Sequence, residues 1–196
     1  MRFASKLGLT AGILGTLLFQ ASAFAQDKPM YVGAEACGKC HKSEAKGNQL
    51  GKWQESKHAQ AFASLGTPEA KKIAAAKGIA DPQKDGKCLK CHVTAFGVDA
   101  ALIAKPAVEG EKGFQAEEGV QCESCHGPGS AYKKRTVMKD QAAAVAAGLI
   151  VPDEKLCKTC HNPESPSYDE KKGFNFAEMK KKIEHPNPNK GKPDAE

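Results

Sequence analysis

Aromatic residues are scarce in this 196-residue chain, which has eight Phe, three Tyr and a single Trp. Three of the Phe (Phe3, Phe19 and Phe24) fall in the first 25 residues. What remains is rich in Lys, Gly, Ala and Pro, and an ordinary hydrophobic core built from it is thin. Something else has to supply apolar bulk. Long apolar runs are also missing after residue 25, which excludes a later membrane span. The early run "LGLTAGILGTLLF" follows Arg2 and Lys6 and precedes "ASAFAQ", with Ala23 and Ala25 at the small positions. This predicts a secretory signal peptide over residues 1–25, cut ahead of Gln26, rather than a retained anchor. No cysteine at the cut offers a lipid attachment point. The mature protein is therefore expected to be soluble, exported and, by this route, periplasmic.

No cysteine is spare. All eight fall in four copies of one pattern: "CGKCH" (Cys37, Cys40, His41), "CLKCH" (Cys88, Cys91, His92), "CESCH" (Cys122, Cys125, His126) and "CKTCH" (Cys157, Cys160, His161). A disulfide scaffold explains the even count but not the histidines. Structural zinc needs no histidine directly after each second cysteine, and a redox dithiol needs one motif, not four. C-x-x-C-H is the attachment motif of c-type haem. Two thiols on this spacing reach the two vinyl groups of a porphyrin, and the next residue lies under the iron as its proximal ligand. The prediction is four covalently bound haems. Burying roughly 400 Å² of each macrocycle at about 25 cal/mol per Å² contributes on the order of 10 kcal/mol apiece as an upper estimate, which supplies the missing core.

Residues 26–196 carry 27 Lys and Arg against 23 Asp and Glu. Eight ionised propionates would turn that balance of +4 into about −4, iron charges aside. The basic sequence is thus no argument for nucleic acid. Its lysines fit better beside propionates or on a docking face for an acidic redox partner.

The coarse reading is mainly α and loop-rich, a small cytochrome with four closely packed haems in one domain over residues 26–185. "NQLGKWQESKHAQAFASL" has helical character and carries His58. Thr67, Pro68 and Gly78 bound one helix, and Asp140 and Gly148 a second. A third runs from Asn175 to His185, ahead of Pro186. Residues 93–118 read as a loop or short hairpin, and 186–196 as a disordered tail.

Four of six histidines are proximal, so only His58 and His185 are left as distal ligands. Two haems at most can be bis-histidine. Methionine is the next candidate. Met179 reads as a core residue, Met30 lies near a loose terminus, and Met138 precedes a new helix, from which it can face a haem.

The stretches "WQESKHAQAFASL", "CLKCHVTAFG", "GVQCESCHGPG", "CKTCHN" and "FNFAEMKKKIEH" resemble the tetrahaem cytochrome c-554 family, across most of residues 34–185. The resemblance implies a mainly helical fold with haems in close pairs, three of them bis-histidine and one five-coordinate. It implies His58 opposite His161, His185 opposite His126, and an open iron on His92. In the family the iron on His41 takes a histidine from the segment after "CHGPG". Here "SAYKKRTVMKD" has none, which makes Met138 the candidate. The shortened segment after "CKTCHN" makes Ser167, Tyr168 and Phe174 candidates to line the pocket over His92. The expected function is electron relay between a redox donor and an acceptor, one of them an oxidoreductase of nitrogen compounds. The rival is an enzyme that reduces nitric oxide, nitrite or hydroxylamine at an open haem. The sequence sets no acid–base constellation apart from the haems, and it does not fix the oligomeric state.

Overall fold

The computed structural model describes residues 28–106, 108–185 and 187–188. The expected signal peptide and nearly all of the expected tail lie outside them. The described fold is mainly helical. It has ten short α-helices: α1 (Ala34–His41), α2 (Gln49–Gln54), α3 (Ala61–Ser64), α4 (Pro68–Ala76), α5 (Gly86–His92), α6 (Cys122–His126), α7 (Arg135–Met138), α8 (Gln141–Ala146), α9 (Glu154–Cys157) and α10 (Phe176–Ile183). Among the described residues there is no strand, only an isolated parallel bridge between Tyr31 and Ile103. α1 packs on α2 and α6, α3 on α5, and α7 on α8.

Local chemistry explains the helices read from sequence. Thr67 caps α4 by accepting from the Ala70 amide, with Pro68 in the first turn. Asp140 caps α8 through the Ala142 and Ala143 amides, and Asn175 caps α10 through that of Glu178. α10 stops at Ile183, so His185 lies past the helix rather than at its end. One expectation fails. The Trp53–Phe62 stretch is not one helix: α2 stops at Gln54 and α3 starts at Ala61, with His58 in the turns between. Of the two readings of residues 93–118, the described residues take the loop. They hold 3-10 turns at Ala100–Leu102 and Ala116–Glu118, and Ile103 pairs with Tyr31.

The apolar residues that the described chain itself buries are few and mostly small: Val32, Ala34, Leu65, Ala74, Ile79, Val93, Tyr132 and Ala144. The largest fully buried side chains include Gln121, Glu123 and Thr94, all polar. Polar groups are buried without loss only when they are hydrogen-bonded. Here they are, and their bonds tie the distant segments together. The Glu123 carboxylate accepts from the amides of Val32 (2.9 and 3.0 Å), Gly33 (2.8 Å) and Gly129 (2.6 Å). Gln121 accepts from the Ala34 amide (2.9 Å), and its own amide N–H donates to the Thr94 hydroxyl (2.7 Å). Thr94 Oγ1 also meets Ser124 Oγ at 2.7 Å.

Candidate functional site

A helical turn puts residues i, i+3 and i+4 on one face. That geometry turns C-x-x-C-H into two thiols and an imidazole presented together. α1, α5 and α6 each end on the histidine of a motif, while α9 ends on Cys157 and leaves Cys160 and His161 in the turn that follows. None of the eight cysteines is in a disulfide. Among the described residues no group of three or more His, Cys, Asp or Glu is placed to hold a metal ion.

Three of the proximal histidines have their Nδ1 occupied. His92 Nδ1 donates to the Ala61 carbonyl (2.7 Å) and His126 Nδ1 to the Ile150 carbonyl (3.1 Å). His41 Nδ1 lies 3.2 Å from Gln49 Oε1. Such bonds fix the tautomer and leave Nε2 free as a metal ligand. His161 is held differently, its ring stacked on Phe174 with centroids 5.2 Å apart and planes 23° apart.

The two histidines outside the motifs each face one inside. The rings of His58 and His161 are 5.9 Å apart, as are those of His126 and His185. Two imidazoles bound to one iron by bonds of about 2 Å each have ring centres roughly 6 Å apart, so both pairs fit one haem iron between them. Desolvation, followed by the facing His161, pushes His58 below the ordinary imidazole value, and desolvation does the same to His126. Both shifts favour the neutral form that ligates a metal.

Neighbouring thiols reveal the order of the motifs in space. α1, which carries the first motif, packs on α6, which carries the third, and Cys122 is the main cause that raises the Cys37 thiol. The second motif meets the fourth through the ion pair of Lys90 with Glu164, and burial followed by the Cys160 charge raises the Cys91 thiol. Burial raises the Cys125 thiol, and the charges of Cys157, Cys122 and Cys160 add to the shift, as they do when the third motif lies near the fourth. The motifs thus form a row, first, third, fourth, second. His41 and His92, neither of which is paired with another histidine ring, hold its two ends.

Positioning of His58 depends on the segment before the third motif. Trp53 Nε1 donates to the Val120 carbonyl (2.7 Å), and the Val120 amide donates to the His58 carbonyl (2.9 Å). Gly119 lies between, at φ +79°, where a Cβ would come within 2.7 Å of the His58 carbonyl oxygen. Met138 is half-buried at the end of α7. Among the described residues no hydrogen bond or ring contact joins it to His41. Phe174 lies against His161, and Ser167 Oγ meets Ser165 Oγ. Sequence reasoning missed Thr94, Gln121 and Glu123. Polar residues beside attachment cysteines carry no periodic signal and read as solvent-facing.

The sequence model of the family Cytochrome c554 and c-prime matches residues 36–127. Cytochrome c-554 of Nitrosomonas europaea is 32% identical over 216 residues, spanning 93% of this chain and 85% of that protein. The chain belongs to the cytochrome c554 family. Its fold matches the solved reduced state of cytochrome c554 from Nitrosomonas europaea, with a TM-score of 0.56 and 29% identity over 79% of this chain and 83% of that one. It is accordingly a c-type cytochrome, with covalently bound haem as cofactor and electron transfer as its chemistry. No described helix is long and apolar enough to cross a membrane.

Proposed function

We propose that this c-type cytochrome is an exported, periplasmic relay with one haem on each of its four motifs. Haem supplies one-electron chemistry, and this chain arranges ligands so that the row has unlike middle and ends. In the middle, His126 with the facing His185 and His161 with the facing His58 would each hold one iron. At one end Met138 would complete the ligation of the iron on His41, and at the other His92 would hold its iron without a second protein ligand. Methionine ligation raises a potential relative to bis-histidine ligation, so the haem on His41 would be more oxidising than the two in the middle. The row of adjacent motifs with paired histidines at its centre carries this reading. A relay needs sites at both ends for a donor and an acceptor, and an oxidoreductase of nitrogen compounds fits as one of them by the family resemblance.

A second reading rests on the ends themselves. An iron with one histidine has a position for a small ligand, which makes reduction of nitric oxide, nitrite or hydroxylamine at His92 the alternative. The test is the spectrum of the dithionite-reduced protein with and without carbon monoxide, quantified per haem. Binding at one haem agrees with the ligand set proposed. Binding at two removes Met138 as a firm ligand, and binding at none removes the open iron together with the reductase reading.

A further inference from the structure

Glu123 is the one acidic residue among the buried polar and charged groups of the described chain, 2% exposed and adjacent to Cys122 in the third motif. Its carboxylate binds the amides of Val32 and Gly33, the two residues that lead into α1 and the first motif. Gly129, three residues after His126, supplies the remaining donor. The Val32 amide bridges both oxygens, Gly33 binds Oε2 and Gly129 binds Oε1, so each oxygen accepts from two amides. A protonated carboxyl would have to point its hydrogen at one of these donors. The cradle therefore suits the anion. Burial pushes the group above the ordinary carboxylate value, and the Gly33, Gly129 and Val32 amides pull against that shift. Cys37 and Cys122, one in each of the two motifs, both feel its charge.

We propose that Glu123 is a positioning residue that both clamps the first motif to the third and, as a buried anion, lowers the reduction potentials of the haems those motifs carry. This rests on the reading that a haem sits on each motif. An oxidised haem carries one more positive charge than a reduced one. A fixed anion nearby favours the oxidised state, and it does so more strongly where water is excluded. Backbone amides hold the carboxylate in place, so no salt bridge cancels its charge. Lys133, exposed, is the cation nearest in effect. The fourth motif has Lys158 and Thr159 between its cysteines, both exposed, so its haem lacks an equivalent anion from its own motif.

The experiment is a spectroelectrochemical titration of the haem-loaded protein and its Glu123→Gln and Glu123→Asp variants, after pyridine haemochrome assay of haems per chain. Fewer than four haems in the wild type overturns the underlying reading, independently of Glu123. With four, Glu123→Gln is expected to raise at least one couple so that its oxidised-to-reduced ratio at a fixed potential falls at least tenfold. For a one-electron step that is 59 mV. Glu123→Asp keeps the charge and should restore most of the shift. Unchanged couples in a fully loaded Glu123→Gln protein overturn the proposal. So does an Asp variant displaced as far as the Gln variant, which would mean that only the clamp matters. If neither variant matures, redox-difference infrared spectroscopy of the wild type decides. With ¹³C-glutamate labelling to separate it from the haem propionates, a labelled carboxylate band that shifts on reduction is expected, and its absence, or a labelled protonated carboxylic C=O band in its place, overturns the assignment.

Discussion

The first and third motifs are held together from inside, the second and fourth from outside. α1 and α6 share a buried network in which Glu123, Gln121 and Thr94 bind the chain leading into one motif and out of another. The joint between the second and fourth motifs has an exposed ion pair, Lys90 to Glu164, and the Phe174 ring stacked on His161. Buried hydrogen bonds to a charged group are strong and costly to break one-sidedly, whereas exposed ion pairs are screened and contribute little. The same number of thioether anchors is thus backed by unequal polypeptide support. The joint between the first and third motifs is the more firmly built, and the second motif shares its network through Thr94, two residues after His92.

The sharpest way to break this comparison is Glu123→Ala. It strands the amides of Val32, Gly33 and Gly129, each a buried donor worth about 1–3 kcal/mol when left unpaired. The expected loss is about 3–6 kcal/mol, a large share of the stability of a domain this size. Thermal denaturation of the haem-loaded protein and the yield of four-haem material check it. A variant that matures and melts like the wild type would show that the haems, not the network, hold the first half.

Next in size is Gly119→Ala. A side chain at φ +79° is strained, and its Cβ would sit 2.7 Å from the His58 carbonyl oxygen. The expected cost is about 1–3 kcal/mol. The more telling readout is ligation, because the turn carrying His58 must move away from His161. The reduced variant is expected to bind carbon monoxide at one more haem than the wild type. An unchanged stoichiometry would mean that His58 is held by something other than the Gly119–Val120 segment.

The sequence made the anchors legible and hid the frame. C-x-x-C-H announces itself because two thiols and an imidazole on that spacing have few other uses. Thr67, Asp140 and Asn175 announced three helix starts because capping is local chemistry. His58 misled, since apolar and polar residues around it repeat as they would on a helix. The Val120 amide instead takes up its carbonyl from a segment about sixty residues away and keeps it in a turn. The row order was hidden because it depends on which helices pack, not on chain order. Glu123 was hidden because a glutamate between two cysteines looks like any surface residue until two distant amides and that of Gly129 converge on it.

Phe174→Ala tests the other half at smaller scale. Among the described residues, the stacked ring at 5.2 Å is the one close ring contact His161 makes besides His58. Losing it should cost about 0.5–1.5 kcal/mol. It should also free the His161 ring to turn, which the low-spin EPR signal of its haem would register. An unchanged signal would mean that the thioether anchors and His58 fix the ring alone.

The smallest effect is expected from the contact that looks strongest on paper. Lys90 sits in α5 beside Cys91, and its ammonium meets Glu164, three residues beyond His161, so the pair spans the second and fourth motifs. Each partner moves the other's pKa in the stabilising direction, Lys90 up and Glu164 down, through the hydrogen bond between them. Yet both are open to water, with side chains 48% and 70% exposed. There, salt screens the attraction and ordering two long side chains offsets what is left. Lys90→Ala should therefore leave haem content unchanged and the thermal midpoint unmoved at both low and high salt. A clear drop at low salt that vanishes at high salt would make this pair a structural clamp equal in kind to Glu123. The row would then have two firmly built joints, and the difference between its halves would have to be sought in its ligands rather than in its support.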